Sequence, residues 1–185
     1  SEKFSQVVAN GDEAAYEATS HLIDTGSRRI AFIGGPNHLD MVRRRKHGYL
    51  EALRENHLSI DRTLVVCDKI DFDVARRATI VLLQREDRPD AILAFNDIIT
   101  YAAFDAIKEM NLRIPEDVAI IGFTDGDNAA FVTPSLSAIM DQAHIQGNKA
   151  CELLMRSING DRCIYKEVVP MILKIRESSE KNQNK

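Results

Sequence analysis

The sequence predicts an α/β fold built on an open parallel sheet flanked by helices. Short β-branched runs alternate with longer segments of helical periodicity, the spacing of βαβ units. The short runs are almost wholly apolar, as strands covered on both faces are. Glycine, proline or aspartate punctuates most of the junctions.

Taken in order, Val7-Val8 closes a first short strand. A helix is expected over residues 12–25, with Asp12 as N-cap and Gly26 placed to stop it. Ile30-Ala31-Phe32-Ile33 reads as a buried strand closed by Gly34-Gly35-Pro36. A helix over 40–55, a strand over 64–67 and a helix over 73–85 follow. The next strand is 91–94, the next helix 97–110, and Val118-Ala119-Ile120-Ile121-Gly122 is the clearest strand. After Asp127 the rhythm changes. A loop with Pro134 leads to an extended piece over 136–139, a helix over 144–158 ends at Asn159-Gly160, and two extended pieces meet at Pro170. The helix carries Ile145, Ala150, Leu153, Leu154 and Ile158, which need a sheet to cover. With little sheet left to do so, that piece is expected to pack on another chain, rearrange or lose order. The polar residues 177–185 are expected to be a disordered tail.

The 185 residues suit one α/β domain, or one with part of a second. A net charge of −4 and a pI near 5.7 argue against a dedicated nucleic-acid surface. The basic run Arg43-Arg44-Arg45-Lys46 would fan around a helix at about 100° per residue instead of forming one stripe. No apolar run approaches the roughly 18 residues of a membrane span, and the first residues lack a signal-peptide pattern. Cys67, Cys151 and Cys163 are odd in number and far apart, which suits reduced thiols in a cytoplasmic protein better than a disulfide framework.

Motifs for catalysis are missing. Gly34-Gly35 lacks the third glycine of a dinucleotide loop, and Pro36 removes a donor where one is wanted. No Walker lysine and no G-x-S-x-G elbow occurs, and the histidines show neither H-E-x-x-H nor cysteine partners at zinc spacing. Asp125 and Asp127 have no nucleophile or metal partner near them in sequence. No enzyme activity, cofactor or metal is expected. In open parallel sheets, ligands bind beyond the carboxyl ends of the strands. There the sequence places Arg45, Phe72, Asn96, Thr124 and Asp125. Planar Arg, Asn and Asp groups pair with neighbouring hydroxyls, and an aromatic ring covers the apolar face of a sugar.

Several segments in register carry a resemblance. They are His21-Leu22-Ile23 with Gly26-Ser27-Arg28-Arg29-Ile30-Ala31-Phe32-Ile33-Gly34-Gly35, and Arg45 with Gly48-Tyr49 and Ala52-Leu53. Pro89-Asp90-Ala91-Ile92 with Ala94-Phe95-Asn96-Asp97 follows, then Ile114-Pro115-Glu116-Asp117-Val118-Ala119-Ile120-Ile121-Gly122-Phe123 and Pro134-Ser135-Leu136-Ser137-Ala138-Ile139. Together they resemble the lac-repressor/galactose-repressor family of bacterial transcription regulators over residues 7–176.

The resemblance implies the effector-binding region, of type I periplasmic-binding-protein-like fold, without the DNA-binding head. Residues 13–139 and 171–176 would form its C-terminal subdomain, and 1–12 and 140–170 a remnant of the N-terminal one. It implies a small-molecule effector of carbohydrate type, a homodimer, and operator DNA bound only through the head. Arg45 matches the arginine that binds effector oxygens, the alternative being a surface ion pair. Phe72 matches a stacking aromatic, the alternative a core residue, and Asn96 a pocket asparagine that can also cap a helix. Thr124 stands where the family places an aspartate. Either it makes a single contact, or Asp125 takes the role, or the effector is no ordinary sugar. Asp141-Gln142 and Ala9-Asn10 depart from the family's Gln-Pro and Asp-Asn. The competing readings are a transporter's periplasmic sugar-binding protein and an enzyme on an open α/β sheet.

Overall fold

The computed structural model describes residues 4–124 and 128–181. Its strands are β1 (Gln6–Ala9), β2 (Ile30–Gly34), β3 (Val65–Cys67), β4 (Ala91–Ala94), β5 (Ala119–Phe123), β6 (Ser137–Met140), β7 (Lys166–Val169) and β8 (Ile172–Lys174). The helices are α1 (Gly11–Asp24), α2 (Asp40–Glu55), α3 (Phe72–Leu83), α4 (Asp97–Glu109), α5 (Asn128–Phe131) and α6 (Ala143–Ile158). A mixed α/β fold with a mostly parallel sheet is what the alternation predicts.

Six strands form the main sheet in the order β3-β2-β4-β5-β6-β8, with only β8 antiparallel. Phe32 lies opposite Leu93, Leu93 opposite Ile121, and Ile121 opposite Ser137. Every residue of β2, β4 and β5 is buried, so both faces of the sheet are covered and the strands carry unbroken apolar runs. The covering helices pack as two pairs, α1 with α2 and α3 with α4. Tyr49 of α2 is fully buried among them and donates its hydroxyl to the Ile30 carbonyl at 2.8 Å.

The second sheet is small: β1 and β7 pair in parallel, Val8 opposite Val168, and α6 packs on both. The chain passes between the two sheets three times, at Asn10, at Asp141-Gln142 and at Pro170-Met171.

Several boundaries differ from the sequence reading for local reasons. Asn10, and not Asp12, stands at the α1 N-cap. Leu64 belongs to a short 3₁₀ turn over Arg62–Leu64, which Asp61 opens by accepting from the Thr63 amide. Asp71 caps α3 by accepting from the Val74 amide at 2.9 Å, so Phe72 is the first helical residue and no loop residue. α5 has no counterpart in the sequence reading. The largest correction is the tail. Glu177–Ser179 form a 3₁₀ turn in which Ser178 and Ser179 are buried. Ser178 Oγ donates to the Ile120 carbonyl at 2.7 Å and accepts from the Ser137 amide, so these polar residues close the end of the sheet.

α6 is a regular helix. Only Leu153 is buried on it, while Leu154 and Ile158 are 60% and 66% exposed. Two strands are too narrow to cover a helix face of four turns. No helix among the described residues is long and apolar enough to cross a membrane.

Candidate functional site at the strand ends

β2 ends at Gly34, and the chain turns through Gly35 into α2. A Cβ on Gly35 would sit 2.8 Å from Ile70 Cγ1, so a larger residue would push the turn away from the β3 end. The turn sends α2 back along the sheet and carries Arg45 to the ends of β4 and β5. There Arg45 is 7% exposed. Its guanidinium carbon lies 3.8 Å from the Phe123 ring centre and 4.9 Å from that of Phe95. Its Nη1 donates to the Phe95 carbonyl oxygen.

A buried cation is costly unless its surroundings answer the charge. Two aromatic faces and a carbonyl dipole do so here. Planarity matters, because a lysine ammonium presents no flat face to the rings. The side chain is therefore not at the surface but buried at the junction of two strand ends.

Asn96 follows Phe95 and caps α4. Its Oδ1 accepts from the Ile99 amide at 3.1 Å, and its carbonyl accepts from the Thr100 amide at 2.8 Å. Thr124 follows Phe123, and its amide donates to the Ile139 carbonyl at 3.1 Å. Its hydroxyl is buried without a hydrogen-bond partner among the described residues. Asp125 lies outside the described residues. Phe72 is 41% exposed at the start of α3, which rules out a core role.

Between β1 of the small sheet and α2 lies a cleft of about 580 Å³, within the usual range for small-molecule sites. Val7 to Ala9 of β1, Arg44 and Arg45 of α2, and Asp141 and Gln146 line it. Of the four candidate ligand-binding residues that are described (Arg45, Phe72, Asn96 and Thr124), Arg45 lines this space. Asn96 and Thr124 adjoin the two rings behind it, and Phe72 is apart from the lining. The sequence pointed to no site role for Val7, Val8, Arg44 or Gln146, although Asp141 stood out as a departure from the family pattern. Hydrogen bonds from Arg44 and Arg43 hold the Asp40 carboxyl at the cleft mouth below its usual range. No cluster of histidine, cysteine, aspartate or glutamate fit to hold a metal occurs among the described residues.

Comparison with known proteins places this geometry. Residues 19–179 match the periplasmic binding protein-like domain family. The chain is 32% identical over 153 residues to the HTH-type transcriptional repressor PurR of Aliivibrio salmonicida, covering 83% of this chain and 46% of that protein. It is 34% identical over 145 residues to the HTH-type transcriptional regulator CelR of Thermobifida fusca, covering 78% and 43%. The solved transcriptional regulator CelR–cellobiose complex superposes with a TM-score of 0.88 at 31% identity, over 96% of this chain and 54% of that one. The chain thus spans about half the length of the curated relatives it matches. These relatives are transcription regulators, and a transporter's binding protein is not favoured. The chain belongs to the periplasmic binding protein-like domain family, as an effector-binding domain of the lac-repressor/galactose-repressor type.

Proposed function

We propose that the cleft senses a hydroxyl-rich small molecule, a sugar or sugar derivative, on behalf of a cytoplasmic transcription regulator. The observation that carries this is Arg45, a buried planar donor held on two rings at the wall of a ligand-sized cleft. The solved relative CelR, in complex with cellobiose, supports the sugar class. Asn96 and Thr124 would add contacts from the neighbouring strand ends, and Phe72 would stack from the β3 side. Residues 13–139 and 171–176 act as one subdomain, and 1–12 and 140–170 belong to the other. Ligand closing the two on each other would change the spacing of DNA-binding heads across a homodimer, and so operator affinity. The chain itself has no catalytic role in this reading.

A melting-temperature screen of the full-length gene product against mono- and disaccharides, sugar acids and purines tests it. A ligand at a hundred times its Kd should stabilise the fold by about 2.7 kcal/mol, a shift of several degrees. The Arg45→Gln variant should lose the shift. A purine that raises the melting point where every sugar fails would sink the carbohydrate assignment. An effector shift that survives Arg45→Gln would remove Arg45 from the site.

A further inference from the structure

The three passages between the sheets are bound to each other by side chains that ordinarily do something else. Asn10 occupies the N-cap of α1, where an asparagine usually accepts a hydrogen bond from its own helix. Here it makes no capping bond. Its Oδ1 accepts from the Met171 amide at 2.7 Å, across 161 residues of sequence, while its Nδ2 donates to Glu13. Gln142 occupies the N-cap of α6 and likewise makes no capping bond. Its Nε2 donates to the Pro170 carbonyl at 2.7 Å. Each of the first two passages thus gives a side chain to the backbone of the third.

The fastening reaches the cleft. Gly11 follows Asn10 directly, and a Cβ there would lie 3.6 Å from both Cγ and Nε of Arg45, so the first passage rests against that side chain. Asp141 of the second passage accepts from Gln146 at 3.0 Å, and both line the same cleft as Arg45. Groups that move together across such packed contacts transmit displacement, because a close-packed interior has little slack.

We propose that Asn10 and Gln142 tie the three passages into one hinge that sets the position of Arg45, with Asn10 as the positioning residue. The proposal rests on the sensing role of Arg45 for its meaning. Displacement of Arg45 by a ligand would be felt at Met171 and passed into β8. The departure from the family pattern at Asp141-Gln142 falls at this hinge, while Asn10 keeps the family's residue. Gln142 brings an amide donor where a proline would bring none.

Amide exchange and side-chain NMR of the isotope-labelled 185-residue chain test this without any effector. Asn10→Ala should speed exchange of the Met171 amide at least tenfold and shift the Arg45 Nε–H resonance. Asn10→Asp keeps the accepting oxygen and should restore both. Gln142→Ala should move the same Arg45 resonance, and it serves as a second arm where Asn10→Ala fails to fold. Faster Met171 exchange with an unmoved Arg45 signal would make Asn10 a local brace and overturn the positioning role. Unchanged Met171 exchange would overturn the hinge itself. Neither readout involves a sugar, so the proposed effector class can fail while the hinge stands.

Discussion

At Gly48 a Cβ atom would lie 1.9 Å from the Asp12 carbonyl oxygen and 3.0 Å from the Tyr16 amide nitrogen. Both are backbone atoms, so α1 and α2 touch main chain to main chain and neither can yield by a rotamer change. Gly48→Ala should force the helices apart and cost about 3 kcal/mol, lowering the melting temperature by roughly 6–12 °C for a chain of this size. Calorimetry decides it, and a loss under about 1 kcal/mol would mean that the pair separates freely. The same displacement would reach Arg45, three residues earlier on α2 and stacked on Phe123 and Phe95. Single residues here serve both packing and site.

The element whose behaviour depends on pH is the C-terminal 3₁₀ turn. Ser179 Oγ lies 2.7 Å from Ser137 Oγ and 3.0 Å from His21 Nε2, which joins the turn to β6 and α1. Burial pushes the His21 imidazole below its ordinary 6.5, outweighing the opposing pull of the Ser179 bond, Asp24 and Glu180. A lowered folded value favours the neutral ring. Its contribution is therefore complete above pH 6.5 and is lost as pH falls from there through the lower folded value. Amide exchange at Ser178 and Ser179, corrected for intrinsic rates, should speed up on going from about pH 7.5 to 5.5. His21→Gln should flatten that dependence. Identical pH profiles in the two proteins would assign the titration to another group.

Across the whole molecule the two sheets differ in what holds them. The main sheet has β2, β4 and β5 buried throughout, whereas β1 is half-buried and β7 has a single buried residue, Val169. Local opening costs least where few apolar contacts break. The Val8 and Val168 amides should exchange on the order of a hundredfold faster than those of Leu93 and Ile121. Equal protection would mean that the two sheets open as one cooperative unit.

The sequence by itself determined the α/β class, the unbroken runs of β2, β4 and β5, and the placing of Arg45 and Asn96 at strand ends. Such features are legible because strand and helix periods are local, written within a few consecutive residues. It also showed the family, through motifs that stand in register. Tertiary structure decided the rest. Only packing brings Phe95 and Phe123 under Arg45, so a basic run with surface character became a buried cation. Composition read residues 177–185 as a disordered tail because the partners of Ser178, at Ser137 and Ile120, are about forty and sixty residues away. Asn10 stands at the N-cap of α1 yet acts as a fastener in the fold, since Met171 reaches it only when the chain has crossed between the sheets for the third time. Elements follow from near neighbours, whereas partners far apart in sequence meet only through the closed core.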